Sequence, residues 1–418
     1  MAHLGAVCFP GTGHLNPMLA LARELERRGH RVTLFQIKDV EPAVRGAGLG
    51  FRQIGAIDYP EGTLPNLDQA LSRLKGLTAL RFTLRRMRET ACMVLRDAPD
   101  AMRSEKIDAL LVDQAEVAGG SVAEHLGLPF VTVIFFPPVR RDPLVPPFNF
   151  GWRYHQGPAA RVRNAVGNGI FYAVTAPTLN RINQQRRVWG LPARAHADDL
   201  SSTLAQVAQT PAAFDFPRKY PVPCLHHTGP FVDPGARRPV EFPRERLDGK
   251  PLIYASMGSL QNGFDEVFRK IAEACDGLDT QLVLSLGGGL SPEALGPLAG
   301  QPIVVKFAPQ LELLQRASLT ITHAGLNTTL ESLSQGVPMV AIPVGNDQPG
   351  VASRIAWTGT GEVVPFRKLS PARLRLAVKK VLSTPTYRAA ALRMREAIRE
   401  ADGLNRAATV IEDALKTA

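Results

Sequence analysis

Short apolar runs bounded by turn-forming residues alternate along this chain with longer stretches in which apolar positions recur every three or four residues. Leu4 to Phe9, Ala109 to Val112, Val131 to Phe136, Ile253 to Ser256, Leu282 to Leu286, Leu319 to Thr322 and Met339 to Ile342 have strand length. They are short, uncharged and mostly apolar, as strands buried on both faces of a parallel sheet are. Met18, Leu21, Ala22 and Leu25 mark one helical face that Gly29 ends, and Phe264, Val267, Phe268, Ile271 and Cys275 mark another. The segment Leu4 to Phe35 is echoed by Leu252 to Leu286, each running strand, Gly-containing turn, helix, strand. The pattern predicts an α/β protein of two facing doubly wound, Rossmann-like domains. Residues 1–232 form the first, the Pro-, Gly- and charge-rich stretch 233–250 the linker, and residues 251–395 the second. A final periodic segment, Tyr387 to Leu415, is predicted to be helical.

The densest polar signal lies between Phe307 and Gln348, which reads as strand, sharp turn, short helix, strand and polar turn. Leu319 to Thr322 delivers His323 at its C-terminal end, and Ala324 and Gly325 turn the chain. A helix from about Asn327 should stop at Gly336, with Pro338 beyond it. The first amides of a helix lack intrahelical partners and carry the positive end of its dipole, so anions settle there. Asn327 and Thr328 lie on the first turn. Glu331 sits on the face of Asn327, about 6 Å deeper, where a carboxylate can accept two hydroxyl hydrogens. A nucleoside diphosphate has this shape. Asp347 and Gln348 follow the next strand and emerge on the same sheet edge. In the first half, His14 follows the turn Pro10 to Gly13 and Asp113 ends Ala109 to Val112, so both reach the edge facing the cleft. An imidazole there can take a proton from a hydroxyl, and a carboxylate on its other nitrogen fixes the tautomer and stabilises the cation.

In order and spacing, His323, Asn327, Thr328, Glu331, Asp347 and Gln348 resemble the donor-binding signature of family 1 nucleotide-sugar-dependent glycosyltransferases of the GT-B fold. The resemblance implies that Phe307 faces a uracil ring, with the backbone of Ala308 and the side chain of Gln310 near base and ribose. It assigns His323, Asn327 and Thr328, beside the turn residue Gly325, to the diphosphate, Glu331 to the ribose, and Asp347 with Gln348 to the sugar. It makes His14 the base and Asp113 its partner, and it sends residues 396–418 back onto the first domain as a helix. Two positions depart from the plant pattern, Phe307 and Leu326 standing where Trp is common. Along the whole chain, the GHLNP start at Gly13, the THAGLNT turn at Thr322 and the NDQPGVA segment at Asn346 resemble carotenoid glucosyltransferases of the zeaxanthin type. Inverting transfer of a hexose, glucose by this resemblance, from a UDP-sugar to a hydroxyl of a lipophilic acceptor such as zeaxanthin is therefore expected. His323, Thr328, the helix amides and Ser259 would stabilise the departing diphosphate. With no Asp-x-Asp or His/Cys cluster, no metal and no cofactor beyond the UDP-sugar is expected.

Other readings remain open at this point. Flavonoid, macrolide or sterol acceptors suit similar pockets. Gly11-Thr12-Gly13 after a strand hints at a dinucleotide-dependent oxidoreductase, but Asn16 stands at the third glycine position of that fingerprint. A nucleotide-sugar epimerase or a non-catalytic nucleotide-sugar-binding protein shares the two-domain pattern. The pairing of His14 with Asp113 argues against the binder.

Composition adjusts this picture in two places. The 418 residues are 45% hydrophobic, and Cys8, Cys92, Cys224 and Cys275 lack metal or redox spacing, which suits reduced thiols in the cytoplasm. No apolar run reaches the roughly 20 residues that span a bilayer, and no basic leader precedes Leu4. The net charge of +11 raises nucleic acid as a partner, but no nucleic-acid motif accompanies it. The charge gathers instead in residues 140–187, where Arg140, Arg141, Arg153, Arg161, Arg163, Arg181, Arg186 and Arg187 face one acid, Asp142. Leu144, Val145, Phe148, Phe150, Trp152, Phe171 and Tyr172 lie among them. Such a basic, apolar, proline-broken insert suits either peripheral contact with the inner membrane surface or a solvated basic face over an ordinary core.

Overall fold

The computed structural model describes residues 1–72, 74, 76–220, 222–237, 239–259 and 263–418, with the side chains of Leu77 and Ala236 excepted. The first seven strands are β1 (His3–Val7), β2 (Arg31–Gln36), β3 (Gly50–Gln53), β4 (Ala109–Asp113), β5 (Phe130–Ile134), β6 (Ala205–Ala208) and β7 (Leu225–His227). They pair in the order β3-β2-β1-β4-β5-β6-β7, all parallel. The next six are β8 (Leu252–Ser256), β9 (Gln281–Ser285), β10 (Ile303–Val305), β11 (Ala317–Thr322), β12 (Met339–Ala341) and β13 (Gly361–Val363). Their order is β10-β9-β8-β11-β12-β13, again all parallel. These are two doubly wound domains, as the apolar runs predict.

The strand order reverses between β1 and β4 in one sheet and between β8 and β11 in the other. At such a switch point the connections leave on opposite faces and open a crevice at the carboxyl edge of the sheet. Period-two placement covers both faces of each sheet. Leu4 and Ala6 of β1 join one core with Met18, Leu21 and Leu25 of helix Thr12–Arg27, while Val7 points into a second core with Val94, Ala98 and Ile182. Ile253 and Ala255 of β8 divide from Leu252 and Tyr254 in the same way.

Two elements differ from the sequence reading. The C-terminal periodic segment is two helices, Pro385–Ala401 and Gly403–Lys416, because Asp402 and Gly403 take positive φ values of 60° and 34° and turn the chain. Ala391, Met394 and Ile398 of the first helix pack in the second domain. Ala407, Ala408, Val410 and Ile411 of the second helix complete the core of the first domain, so the return crossing lies at Asp402 rather than at residue 396. Likewise, the insert 140–187 is broken only in its first part. From Pro158 to Val188 it is one helix of 31 residues that continues through Pro177.

The domains touch through buried and specific contacts. Arg354 donates to Asp215 Oδ1 from Nη2 at 2.6 Å and from Nε at 2.9 Å, and both side chains are almost fully buried. Ser353 Oγ donates to the carbonyl of Trp152 at 2.7 Å. The linker is clipped at both ends, by Arg23 to Asp233 at 2.8 Å and by Arg244 to Glu312 at 2.7 Å.

Candidate active site

The switch point of the first sheet positions an imidazole and a carboxylate. His14 lies in the first turn of helix Thr12–Arg27, directly after β1, and Asp113 is the last residue of β4, the neighbour of β1. His14 Nδ1 is 2.8 Å from Asp113 Oδ2, with the carboxylate fully buried and the imidazole 22% exposed. Asp113 Oδ2 also accepts from the amide of Phe9 at 3.0 Å, and its Oδ1 accepts from the amide of Ala115 at 2.9 Å. These bonds fix the orientation of the carboxylate, so His14 presents Nδ1–H to it and leaves Nε2 for a hydroxyl. Burial alone would lower the His14 pKa. The charge and hydrogen bond of Asp113, helped by Asp347, outweigh it and raise the pKa above 6.5. Phe135 and Phe136 pack around the ring with centroids 5.9 and 5.8 Å away and cover part of it.

The switch point of the second sheet places a helix N-terminus at its carboxyl edge. Helix Leu326–Ser334 begins after β11, with Gly325 at its N-cap, Gln335 at its C-cap and Gly336 beyond at φ 65°. His323 lies between two glycines, and a Cβ at Gly258 or Gly325 would come within 2.6 or 2.3 Å of its ring. Burial lowers its pKa to about 4, with a backbone hydrogen bond at Ser256 acting weakly the other way. His323 is therefore neutral at working pH and can act on an anion as a hydrogen-bond donor, not as a cation. Thr328 and Glu331 are buried one turn apart on the same helix. Gln310 joins them, donating from Nε2 to Glu331 Oε2 at 2.6 Å and to Thr328 Oγ1 at 3.4 Å. Its Oε1 accepts from Tyr254 at 2.9 Å. Beside this group, Phe307 is 48% exposed with its ring against Gly288, and Ala308 follows it half-buried.

These two ends meet. Asn327 Nδ2 donates to the carbonyl of Gly13, the residue before His14, at 2.9 Å, and Asn327 Oδ1 accepts from Gln209 at 2.8 Å. Ser259 shares a hydrogen bond with Thr12 across the same junction. Asp347, after β12, lies close enough to His14 that each shifts the other; burial raises its pKa to about 6, which His14 and Arg354 partly offset. Gln348 is placed differently from a free sugar ligand. Its Oε1 turns back to accept from the amides of Val344 at 2.8 Å and Gly345 at 3.1 Å, so only its Nε2 remains to face a hydroxyl.

The sequence reading passed over three neighbours of these residues. Arg237, in the linker, pairs with both carboxylate oxygens of Glu331. Gln209, after β6, holds Asn327, and Thr12 reaches Ser259. Their roles depend on segments that are 94 to 247 residues apart, and only the hydroxyl of Thr12, in the turn before His14, carried a local hint. Glu116 is fully buried three residues after Asp113, with no side chain among the described residues hydrogen-bonded to its carboxylate. Burial and the charge of Asp113 raise its pKa to about 8.

Comparison with known proteins covers both halves of this arrangement. The family model described as UDP-glucoronosyl and UDP-glucosyl transferase matches residues 160–412, and the glycosyltransferase family 28 N-terminal domain matches residues 9–142. Zeaxanthin glucosyltransferase of Pantoea ananas is 33% identical over 100% of this chain and 97% of its own length. That of Pseudescherichia vulneris is 32% identical over 99% and 98%. Among solved structures, the glycotransferase of kitacinnamycin superposes with a TM-score of 0.75 at 24% identity over 99% and 98% of the two chains. The calicheamicin glycosyltransferase gives 0.72 at 23% identity over 100% and 99%.

Proposed function

Because this chain belongs to the UDP-glucoronosyl and UDP-glucosyl transferase family, we propose that its two switch points work as one centre that moves glucose from UDP-glucose to a ring hydroxyl of a carotenoid. It is a UDP-dependent glycosyltransferase with two Rossmann-like domains in the GT-B arrangement. The observation that carries the proposal is the His14–Asp113 pair, joined across the cleft to the helix of Asn327, Thr328 and Glu331. Such a centre has what a single displacement needs. The diphosphate lies at the start of helix Leu326–Ser334, near Thr328, His323 and Ser259, and the ribose hydroxyls replace the Arg237 contacts on Glu331. Asp347 and the Nε2 of Gln348 hold the hexose. The acceptor oxygen attacks the anomeric carbon from the face opposite the diphosphate, its proton passing to His14 Nε2, and the configuration inverts. Asp113 stabilises the resulting imidazolium, and donors already aimed at the diphosphate stabilise the charge that grows on it. No divalent ion is required, since the helix end and its donors supply that electrostatic part.

The acceptor assignment is supported by the zeaxanthin glucosyltransferase relatives and by the aromatic surroundings of His14, where Phe136 continues to Phe148 at a centroid distance of 5.2 Å. A lipophilic acceptor resides in membrane, so the protein works at a membrane periphery, through the insert 140–187. The test is incubation with UDP-glucose and a panel of hydroxylated carotenoids, sterols and flavonoids, read by mass spectrometry with and without EDTA. A carotenoid glucoside formed equally under chelation is expected. His14→Ala should lower the rate by about 10²–10⁴ with UDP affinity unchanged. Transfer to flavonoids alone would overturn the acceptor, and activity restored only by magnesium would overturn the metal-free reading.

A further inference from the structure

Helix Pro158–Val188 is built inside out. Between Pro158 and Pro177 every exposed side chain except Arg161 is apolar. Val162, Val166, Ile170 and Val174, four residues apart, are 66%, 56%, 50% and 37% exposed. The row is about 18 Å long at the helical rise. Polar groups turn inward instead: Asn164 is fully buried and donates to the carbonyl of Pro143 at 3.1 Å, and Arg186 is buried on Glu124 and Ser121. A helix at a water-facing surface carries its polar residues outward. Isolated exposed apolar residues are ordinary, whereas a continuous row marks a surface that something else covers. The residues that the sequence singled out as apolar, Leu144, Val145, Phe148, Phe150 and Trp152, are buried or half-buried. The outward row is a different set.

Charge decides what covers it. The helix contains no Asp or Glu, and exposed arginines stand at both ends of the row, Arg161 at one and Arg181 and Arg187 at the other. Two copies packed through this face would bring arginines together with no helix acid between them. An anionic bilayer offers hydrocarbon to the row and phosphates to the arginines, the arrangement of an interfacial helix. The inner side of the same helix leads to the reaction centre, since Phe171 packs on Phe148 at 5.5 Å, Phe148 on Phe136 at 5.2 Å, and Phe136 on His14 at 5.8 Å. We propose that the outward face of helix Pro158–Val188 docks on an anionic lipid surface, with Val162, Val166, Ile170 and Val174 in the headgroup–acyl boundary. The chain then receives its acceptor from the bilayer beside Phe171, a step that rests on the lipophilic-acceptor reading above.

Flotation of the full chain with phosphatidylglycerol–phosphatidylethanolamine vesicles, against pure phosphatidylcholine vesicles, tests the docking. Floating with the anionic vesicles is expected, and the double variant Val166→Glu/Ile170→Glu should cut the bound fraction at least tenfold. Both substitutions are at exposed positions, so the melting temperature and transfer to a water-soluble phenol should not change. The proposal is overturned if the wild type does not float at low salt, or if the variant floats as well as the wild type. A dimer in light scattering that the variant dissociates, without flotation, would assign the face to a second copy and overturn it too. Flotation that follows the expected pattern while no lipophilic acceptor is glucosylated keeps the docking face and removes only the acceptor reading.

Discussion

At His14 burial favours the neutral imidazole, and the carboxylate of Asp113 favours the cation and prevails. A base must be neutral to act, so kcat/KM should fall as pH drops through a pKa above 6.5. Asp113→Asn removes the main raising influence and leaves burial opposed only by Asp347, so the acidic limb should move to lower pH while kcat falls by up to about 10⁴. An unmoved limb in the pH–rate profile would assign it to another group. Glu116 makes a second pH statement. Its folded pKa of about 8 exceeds its ordinary 4.5, so the native state binds the proton more tightly and stability declines as pH rises from 4.5 to 8. Glu116→Gln should flatten that decline between pH 5 and 8 in urea titrations; an equal slope would show that Glu116 does not titrate in the fold. His14 and Asp113 were legible in the sequence because a residue right after a parallel strand can only reach the carboxyl edge. Glu116 and Arg237 were not, since the environment of one and the partner of the other come from chain folded in from elsewhere.

Helix Leu326–Ser334 was legible almost to its ends, because Gly325 and Gly336 bound it and the strand-length stretch of β11 ends just before it. The glycines around His323 were less so, since their reason is contact rather than pattern. Gly258 combines φ 76° with a Cβ position 2.6 Å from the imidazole. Gly258→Ala therefore carries about 1 kcal/mol of backbone strain and pushes the ring off its place. A lower melting temperature and at least about tenfold weaker UDP binding, 1.4 kcal/mol, are expected by calorimetry. Undiminished affinity would remove His323 from the donor site. Two boundaries escaped the pattern for opposite reasons. Apolar periodicity persists through Asp402, where the backbone turns, and Pro177 suggests a break where none occurs. A proline removes one helical bond at a cost of about 3 kcal/mol, which flanking packing offsets here, as with Ile182 buried in the first domain.

A buried ion pair joins the two domains, Asp215 with Arg354, supported by Arg218 at 3.2 Å and by Phe216 under the guanidinium at 4.4 Å. Burial opposes its charge, but the arginines hold the Asp215 carboxyl well below its ordinary 3.8. The stability that it contributes is complete above 3.8 and lost as pH falls below that toward the folded pKa. Asp215→Ala leaves a buried guanidinium without its carboxylate and should cost about 3–5 kcal/mol, read as a lower urea midpoint at pH 7. A midpoint within error of wild type would mean that the domains hold together without it. The facing domains were readable from repeated strand-helix halves, and the pair that joins them was not, because no local pattern relates positions 215 and 354. The return of helix Gly403–Lys416 into the first core also fixes an order of events during synthesis. The first domain leaves the ribosome long before the helix that closes its hydrophobic interior, so it must wait, incompletely sealed, until that helix has been made and released.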